Sequence, residues 1–170
     1  NELSIGIILA NWLILEALGS FLGGKKIEKT KNKIETLIGI SIFFSLSLPL
    51  AVYLVRILKR ILGLSIGESV GLLPILYSSF LILSPISISH GALFPFSCKL
   101  YSLFSKSDTS SVGKVYAYET IGTIIGGLLW TYLFISYLGA FQIAIVVGIL
   151  NFLVCFFLIF FYGKTNKFQK

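Results

Sequence analysis

Two glutamates and an asparagine stand inside long apolar stretches of this 170-residue sequence, where such side chains could take part in binding or proton transfer. Asn11 and Glu16 lie in the first stretch, and Glu119 lies in the fourth. An ionisable group at membrane depth is costly, so it usually faces a cavity or a partner. Because a buried carboxylate attracts a cation, we take all three as candidates for a substrate or proton site. The alternatives are an interfacial position and a structural bond between helices.

Histidine occurs once, as His90, after a serine-rich segment at 84–89. A catalytic triad would also need an acid partner and an activated nucleophile at a recognisable spacing, which the sequence does not supply. We interpret His90 as structural or interfacial, although either glutamate could pair with it or with Lys114. The two cysteines, Cys98 and Cys155, have neither CxxC spacing nor a neighbouring histidine cluster. The sequence therefore predicts no catalytic residue, no metal and no cofactor in this chain.

The composition indicates a membrane protein rather than a soluble enzyme domain. Hydrophobic residues make up 56% of the sequence and charged residues only 12%, and the mean hydropathy is +0.93. An ordinary soluble domain carries about 25% charged residues. The net charge of +7 could suggest nucleic acid, but the basic residues lie between apolar runs rather than along one surface. We therefore predict a lipid bilayer as partner and exclude nucleic acid.

Five apolar runs are long enough to cross a bilayer, whose ~30 Å core requires about 20 helical residues. They span residues 3–22, 37–55, 70–96, 115–138 and 141–162. Prolines inside the second and third runs are tolerated in membrane helices and predict a kink in the third. The polar tracts 23–35 and 105–113 are predicted to be loops. The sequence thus predicts an all-α membrane protein, with residues 1–170 as one transmembrane domain.

Basic residues determine the predicted orientation. When the runs alternate across the membrane, every Lys and Arg except Arg56, Lys59 and Arg60 falls on the same side. The positive-inside rule then places the N-terminus outside and the C-terminus in the cytoplasm, and we expect a prokaryotic plasma membrane. The three exceptions follow the second run in an amphipathic segment, which is predicted to lie in the membrane interface.

Glycines recur at four-residue spacing in two places, as Gly19 with Gly23 at the end of the first run and as Gly122 with Gly126 inside the fourth. Helices associate in lipid by close approach of their backbones, which small residues permit. Both pairs are therefore candidates for helix packing, although the spacing is frequent by chance in glycine-rich apolar runs. For Gly122 and Gly126 we predict a helix–helix contact.

The tract between the first two runs resembles the loop signature of the major facilitator superfamily. Gly24, Glu28, Lys29 and Lys33 match its main positions, with Glu28 in place of the usual aspartate and Asn32 where glycine is common. The resemblance implies that the five runs are helices two to six of a half-bundle, and that the loop charges exchange partners as helices rock. It also implies a fragment of a longer protein, which agrees with the absence of methionine. The alternative is a simple positive-inside loop.

A second resemblance covers most of the chain. Segments 18–24, 91–95, 113–127 and 138–139 are similar to the membrane region of spermidine-synthase-like proteins, which join major-facilitator-like helices to a cytoplasmic aminopropyltransferase-type domain. The most specific part is the Gly-x-x-Tyr-Ala-x-Glu-Thr-x-Gly run that contains Glu119. The glycine-rich strand–turn–helix pattern of a nucleotide-binding catalytic domain is not found here. Aminopropyl transfer is therefore assigned to no residue of this chain.

The leading hypothesis is the membrane domain of a spermidine-synthase-like protein. It would anchor the catalytic domain and bind or move a polyamine-like substrate, with Glu16 and Glu119 contacting the cationic amine. The alternatives are half of a major-facilitator-type transporter without an enzyme domain, and a purely structural membrane anchor. Whether the parent protein is an enzyme depends on chain beyond residue 170.

Overall fold

The computed structural model of the chain describes residues 2–64, 69–105 and 109–166, with side chains for all of these except 109 and 162–166. Helices form almost all of these ranges, which contain no strand. In chain order they are α1 (Glu2–Lys29), α2 (Lys33–Ile61), α3 (Leu72–Ser105), α4 (Thr109–Leu129), a π-helical segment (Trp130–Phe134), α5 (Ile135–Tyr137) and α6 (Ala140–Asn166).

Five helical stretches are long and apolar enough to cross a membrane. They are α1, α2, α3, the continuous stretch Ser110–Tyr137, and Ala140–Phe161 of α6. Many of their large apolar side chains, such as Leu81 and Phe156, are exposed on the surface of the bundle. Such exposure costs about 25 cal/mol per Å² in water but nothing comparable in lipid. The predicted all-α membrane protein is therefore confirmed.

The helices extend well beyond the apolar runs, so both predicted loops are wrong in extent. α1 continues to Lys29 and α2 begins at Lys33, which reduces the first loop to residues 30–32. In the second, α4 is already helical from Thr109, and residues 106–108 lie outside the described chain. Lysine is a good helix former whose long side chain carries its charge to water, so a charged sequence does not end a membrane helix.

The basic segment after the second run belongs to α2, so the separate interfacial helix predicted there is wrong. α2 continues through Arg56 and Arg60 to Ile61. It ends where Gly63 takes the left-handed conformation, with φ of 66°. The amides of Gly63 and Leu64 then donate to the carbonyls of Arg60 and Lys59. At about 1.5 Å per residue α2 is longer than the ~30 Å bilayer core, so its cations can reach the headgroups.

α3 lies at the centre of the arrangement and packs against α1, α2 and α4, while α6 packs against α2. α1 and α3 run in the same direction, because Asn11 contacts the Leu76–Ser79 turn whereas Gly23 approaches Ala92 and Pro95 further along both helices. α2 returns in the opposite direction beside them. Polar groups in the middle of α1 and α3 are thereby brought to the same depth.

Among the membrane-spanning helices, α4 packs mainly against α3. In the helical stretch Ser110–Tyr137, Ser111 is the one residue that is buried, and nearly all the others are exposed. A Cβ atom added at Gly122 or Gly126 would meet nothing within 4 Å. The helix–helix contact predicted for these two glycines is therefore not made within the described residues, because α3 packs on another part of α4.

Candidate functional site

Glycines allow α1 and α3 to approach until their backbones touch. A Cβ atom at Gly19 would overlap the carbonyl oxygen of Ile88, and one at Gly91 would overlap the carbonyl oxygen of Glu16. A Cβ at Gly23 would come within 3.0 Å of the Ala92 backbone. Only glycine fits such positions without a shift of the backbone. The close approach places side chains of α1 and α3 within hydrogen-bond reach of each other.

Glu16 is paired with His90 across this contact. Oε1 of Glu16 lies 2.6 Å from Nδ1 of His90. Oε2 accepts a hydrogen bond of 2.8 Å from the indole N–H of Trp12. The Glu16 side chain is 29% exposed and that of His90 36%, so neither is sealed from the surroundings. The pairing with His90 that the sequence left open is thus made.

Aromatic rings from two helices surround the His90 imidazole. Its ring centroid lies 6.1 Å from that of Trp12 on α1 and 5.7 Å from that of Phe44 on α2. Both ring pairs are tilted, with interplanar angles of 48° and 41°, and the separations are within the range in which aromatic rings pack favourably. Three helices therefore contribute to the environment of a single histidine.

The Glu16–His90 pair lies near the middle of two helices that are long and apolar enough to cross a membrane. Glu16 is close to the midpoint of α1, Glu2–Lys29, so about 20 Å of helix separates it from either end at ~1.5 Å per residue. His90 is likewise near the middle of α3, Leu72–Ser105. A carboxylate at this depth is costly unless it is paired, which the bonds from His90 and Trp12 achieve.

Glu119 and His90 line the same cavity, which has a volume of about 410 Å³ and lies between α3 and α4. We call it the α3–α4 cavity; its other lining residues are Leu93, Phe94, Ser97, Val115 and Tyr118. Within the described ranges, no hydrogen bond or ion pair engages the Glu119 carboxylate. The structure therefore bonds Glu16 to His90 and places the exposed Glu119 in the lining of the same cavity as His90.

Asn11 serves a different contact. The side chain is 4% exposed, and its amide donates to the carbonyl oxygen of Leu76 at 2.9 Å and to Oγ of Ser79 at 2.8 Å. Both donors of the amide are therefore used to join α1 to the first turns of α3. Asn11 does not line the α3–α4 cavity.

The residues that match the loop signature lie at the connection between α1 and α2. Lys33 donates from Nζ to the carbonyl oxygen of Thr30 at 2.8 Å. Glu28 lines a cavity beside α3, and Lys29 is the last residue of α1. A Cβ atom at Gly24 would meet nothing within 4 Å. Among the described residues no ion pair joins Glu28 to these lysines, so the exchange of charged partners stays a prediction.

The side chains around the α3–α4 cavity suit the binding of a cation or the movement of a proton. Carboxylates accept hydrogen bonds from ammonium groups, and imidazole can either accept or donate a proton. In the part of the chain that the structure describes, no group of three His, Cys, Asp or Glu residues could hold a metal ion. Sequence reasoning missed Trp12, which stands four residues before Glu16 and so on the same helix face.

Comparisons with known proteins assign no family to this chain. No protein-family model, no curated protein and no solved structure matches it. The resemblances to the major facilitator superfamily and to spermidine-synthase-like proteins therefore stay predictions from the sequence. The five apolar helices are compatible with a membrane domain.

Proposed function

We propose that this chain is the membrane domain of a spermidine-synthase-like protein and that its α3–α4 cavity binds a cationic amine of the polyamine type. One observation carries the amine site: His90, which contacts Glu16 at 2.6 Å, lines the same cavity as the Glu119 carboxylate. The anchoring of an aminopropyltransferase-type domain rests on the sequence resemblance.

The Glu119 carboxylate is the first contact for the amine. An ammonium group that leaves water loses its hydration shell, and a carboxylate replaces that shell with charge-assisted hydrogen bonds. The Tyr118 and Phe94 side chains line the same cavity and can cover the methylene groups between two amines. Glu119 therefore supplies charge recognition, while its neighbours supply apolar contact.

Glu16 holds the His90 imidazole in place at the wall of the cavity. The 2.6 Å contact between Oε1 of Glu16 and Nδ1 of His90 engages one ring nitrogen and so fixes which way the ring faces. In this account Glu16 is a positioning residue that acts through His90, and Glu119 is the residue that touches the ligand.

Equilibrium binding of labelled spermidine to the purified chain tests this function. We expect Glu119→Gln to weaken binding at least tenfold, which corresponds to ~1.4 kcal/mol, because the amide cannot neutralise an ammonium group. Glu2→Gln, which makes the same chemical change at the exposed start of α1, is the matched control and should bind as the wild type does. Equal affinities for the Glu119→Gln and Glu2→Gln variants would contradict an amine site at Glu119.

A transporter half is the second candidate, favoured by the depth of the Glu16–His90 pair. Secondary transporters hold substrate and coupling-ion sites near the bilayer midplane at a helix interface. A transporter would accumulate labelled spermidine in proteoliposomes, whereas a membrane domain that only binds the amine would not. A purely structural anchor would neither bind nor transport it.

The same proposal includes an orientation with the N-terminus outside and the C-terminus in the cytoplasm of a prokaryotic cell. It is supported by the lysine-rich connection between α1 and α2, which lies at the end of the bundle where α3 also ends. By the positive-inside rule this end is cytoplasmic. Arg56, Lys59 and Arg60 lie at the opposite end of α2.

A further inference from the structure

A groove of about 590 Å³ lies between α1 and α2 and shares no lining residue with the α3–α4 cavity. We call it the α1–α2 groove. Leu22 and Lys26 of α1 and Gly39 and Phe43 of α2 line its two sides, and α3 lines the remainder. Its volume is in the range of about 300–1,000 Å³ that is typical of small-molecule sites.

The interior of the groove is suited to an apolar ligand. The two serines of α3 that line it already donate within their own helix, Ser84 to the carbonyl of Leu81 and Ser89 to that of Pro85. The other α3 residues on its surface are apolar, from Pro85 to Phe96. Thr36 of α2 likewise donates to the carbonyl of Asn32, so none of the hydroxyl groups that line the groove needs a partner from a ligand.

The length of the groove matches one leaflet of a bilayer. Its lining on α3 extends from Ser84 to Phe96, which is about 18 Å of helix at ~1.5 Å per residue. One leaflet contributes about 15 Å to the ~30 Å hydrocarbon core. A single acyl chain can therefore lie along the groove from its end near Phe96 to a point past the level of His90, near the middle of α3.

The outer end of the groove is positively charged. Lys26 lines that end and is exposed, so its amine can reach the headgroup layer. The surrounding segment, residues 23–36, contains five lysines and two glutamates. Basic segments at the membrane surface attract anionic lipids. We propose that the α1–α2 groove binds an anionic phospholipid, with one acyl chain along α3 and the headgroup phosphate at Lys26.

Two substitutions separate the acyl-chain site from the headgroup site. Gly39→Leu should fill the groove without strain, because a Cβ there meets nothing within 4 Å. Gly6→Leu is its matched control, since Gly6 is an equally open position on α1 that does not line the groove. Lys26→Gln removes the charge from an exposed side chain, so it leaves the fold intact even if the leucine variant fails to fold.

Native mass spectrometry of the purified full chain, titrated with phosphatidylglycerol and with phosphatidylcholine of the same chains, measures both effects. We expect Gly39→Leu to weaken phosphatidylglycerol binding at least tenfold relative to Gly6→Leu. We expect Lys26→Gln to reduce the preference for phosphatidylglycerol about fivefold. Excess inorganic phosphate should not displace the lipid, because the acyl chain supplies much of the contact.

Three results would overturn the lipid site. The first is equal phosphatidylglycerol binding by the Gly39→Leu and Gly6→Leu variants, and the second is an unchanged lipid preference in Lys26→Gln. The third is a wild-type chain that binds no phospholipid and instead changes its oligomeric state in Gly39→Leu, which would identify a second copy as the occupant. None of these results depends on amine binding at Glu119.

Discussion

Gly91→Ala is expected to lower the free energy of unfolding by about 3 kcal/mol, at the upper end of the cost of overpacking a core. The added methyl group overlaps the backbone carbonyl of Glu16. To relieve this overlap α1 and α3 must move apart, which also loosens their contact at Gly19. Because the Glu16–His90 pair spans the same contact, the separation would also lengthen its 2.6 Å bond. Equilibrium denaturation of the purified chain in mixed detergent micelles measures the loss.

The control for this substitution is Gly122→Ala on α4. That position is open, so the same methyl group meets nothing within 4 Å and adds helix propensity worth up to about 1 kcal/mol. The alanine at 122 should therefore leave the stability unchanged or raise it slightly. Equal losses at Gly91 and Gly122 would contradict the close packing of α1 on α3.

His90→Leu is expected to destabilise the chain by about 2 kcal/mol, which is less than the 3–5 kcal/mol for breaking a fully buried ion pair. The expected loss is smaller because both side chains are partly exposed, 29% for Glu16 and 36% for His90. Leucine leaves the Glu16 carboxylate at mid-membrane depth with one remaining donor, the indole of Trp12. The measurement is again equilibrium denaturation.

A double-mutant cycle separates this pairing from the loss of packing around the imidazole. Glu16→Gln combined with His90→Leu removes the unpaired charge, so the double variant should be more stable than His90→Leu alone. The coupling energy from the cycle should be about 1–2 kcal/mol, within the range for residues in contact. If the two substitutions simply add, Glu16 and His90 do not interact in the folded protein.

Much of the fold follows from the sequence because lipid imposes a simple rule. An apolar run of about 20 residues must be helical to satisfy its backbone, so the five spans can be located without tertiary information. The ends of the helices are harder to predict from the sequence. α1 and α2 continue through the charged residues that follow each apolar run, namely the lysines after residue 24 and the arginines after residue 55. The position of Gly63 marks the end of α2, since its left-handed conformation closes the helix.

The candidate site was only partly predictable. Glu16 and Glu119 are conspicuous because each is a carboxylate inside an apolar run. His90, which contacts Glu16 and lines the same cavity as Glu119, is not conspicuous in the sequence. It lies 74 residues from Glu16, and the parallel packing of α1 and α3 brings the two side chains together. Gly91 permits that packing, but no other glycine lies four residues from it in the sequence, whereas Gly19 and Gly23 form such a pair.

The central claim, an amine site in the α3–α4 cavity, is tested most directly by photoaffinity labelling of the purified chain. A photoreactive spermidine analogue should label the segments 90–97 and 115–119, which together line the cavity. Excess spermidine should prevent the labelling, and Glu119→Gln should reduce it about tenfold, in parallel with the loss of affinity. Labelling confined to other segments, or labelling of these segments that spermidine does not prevent, would contradict the claim.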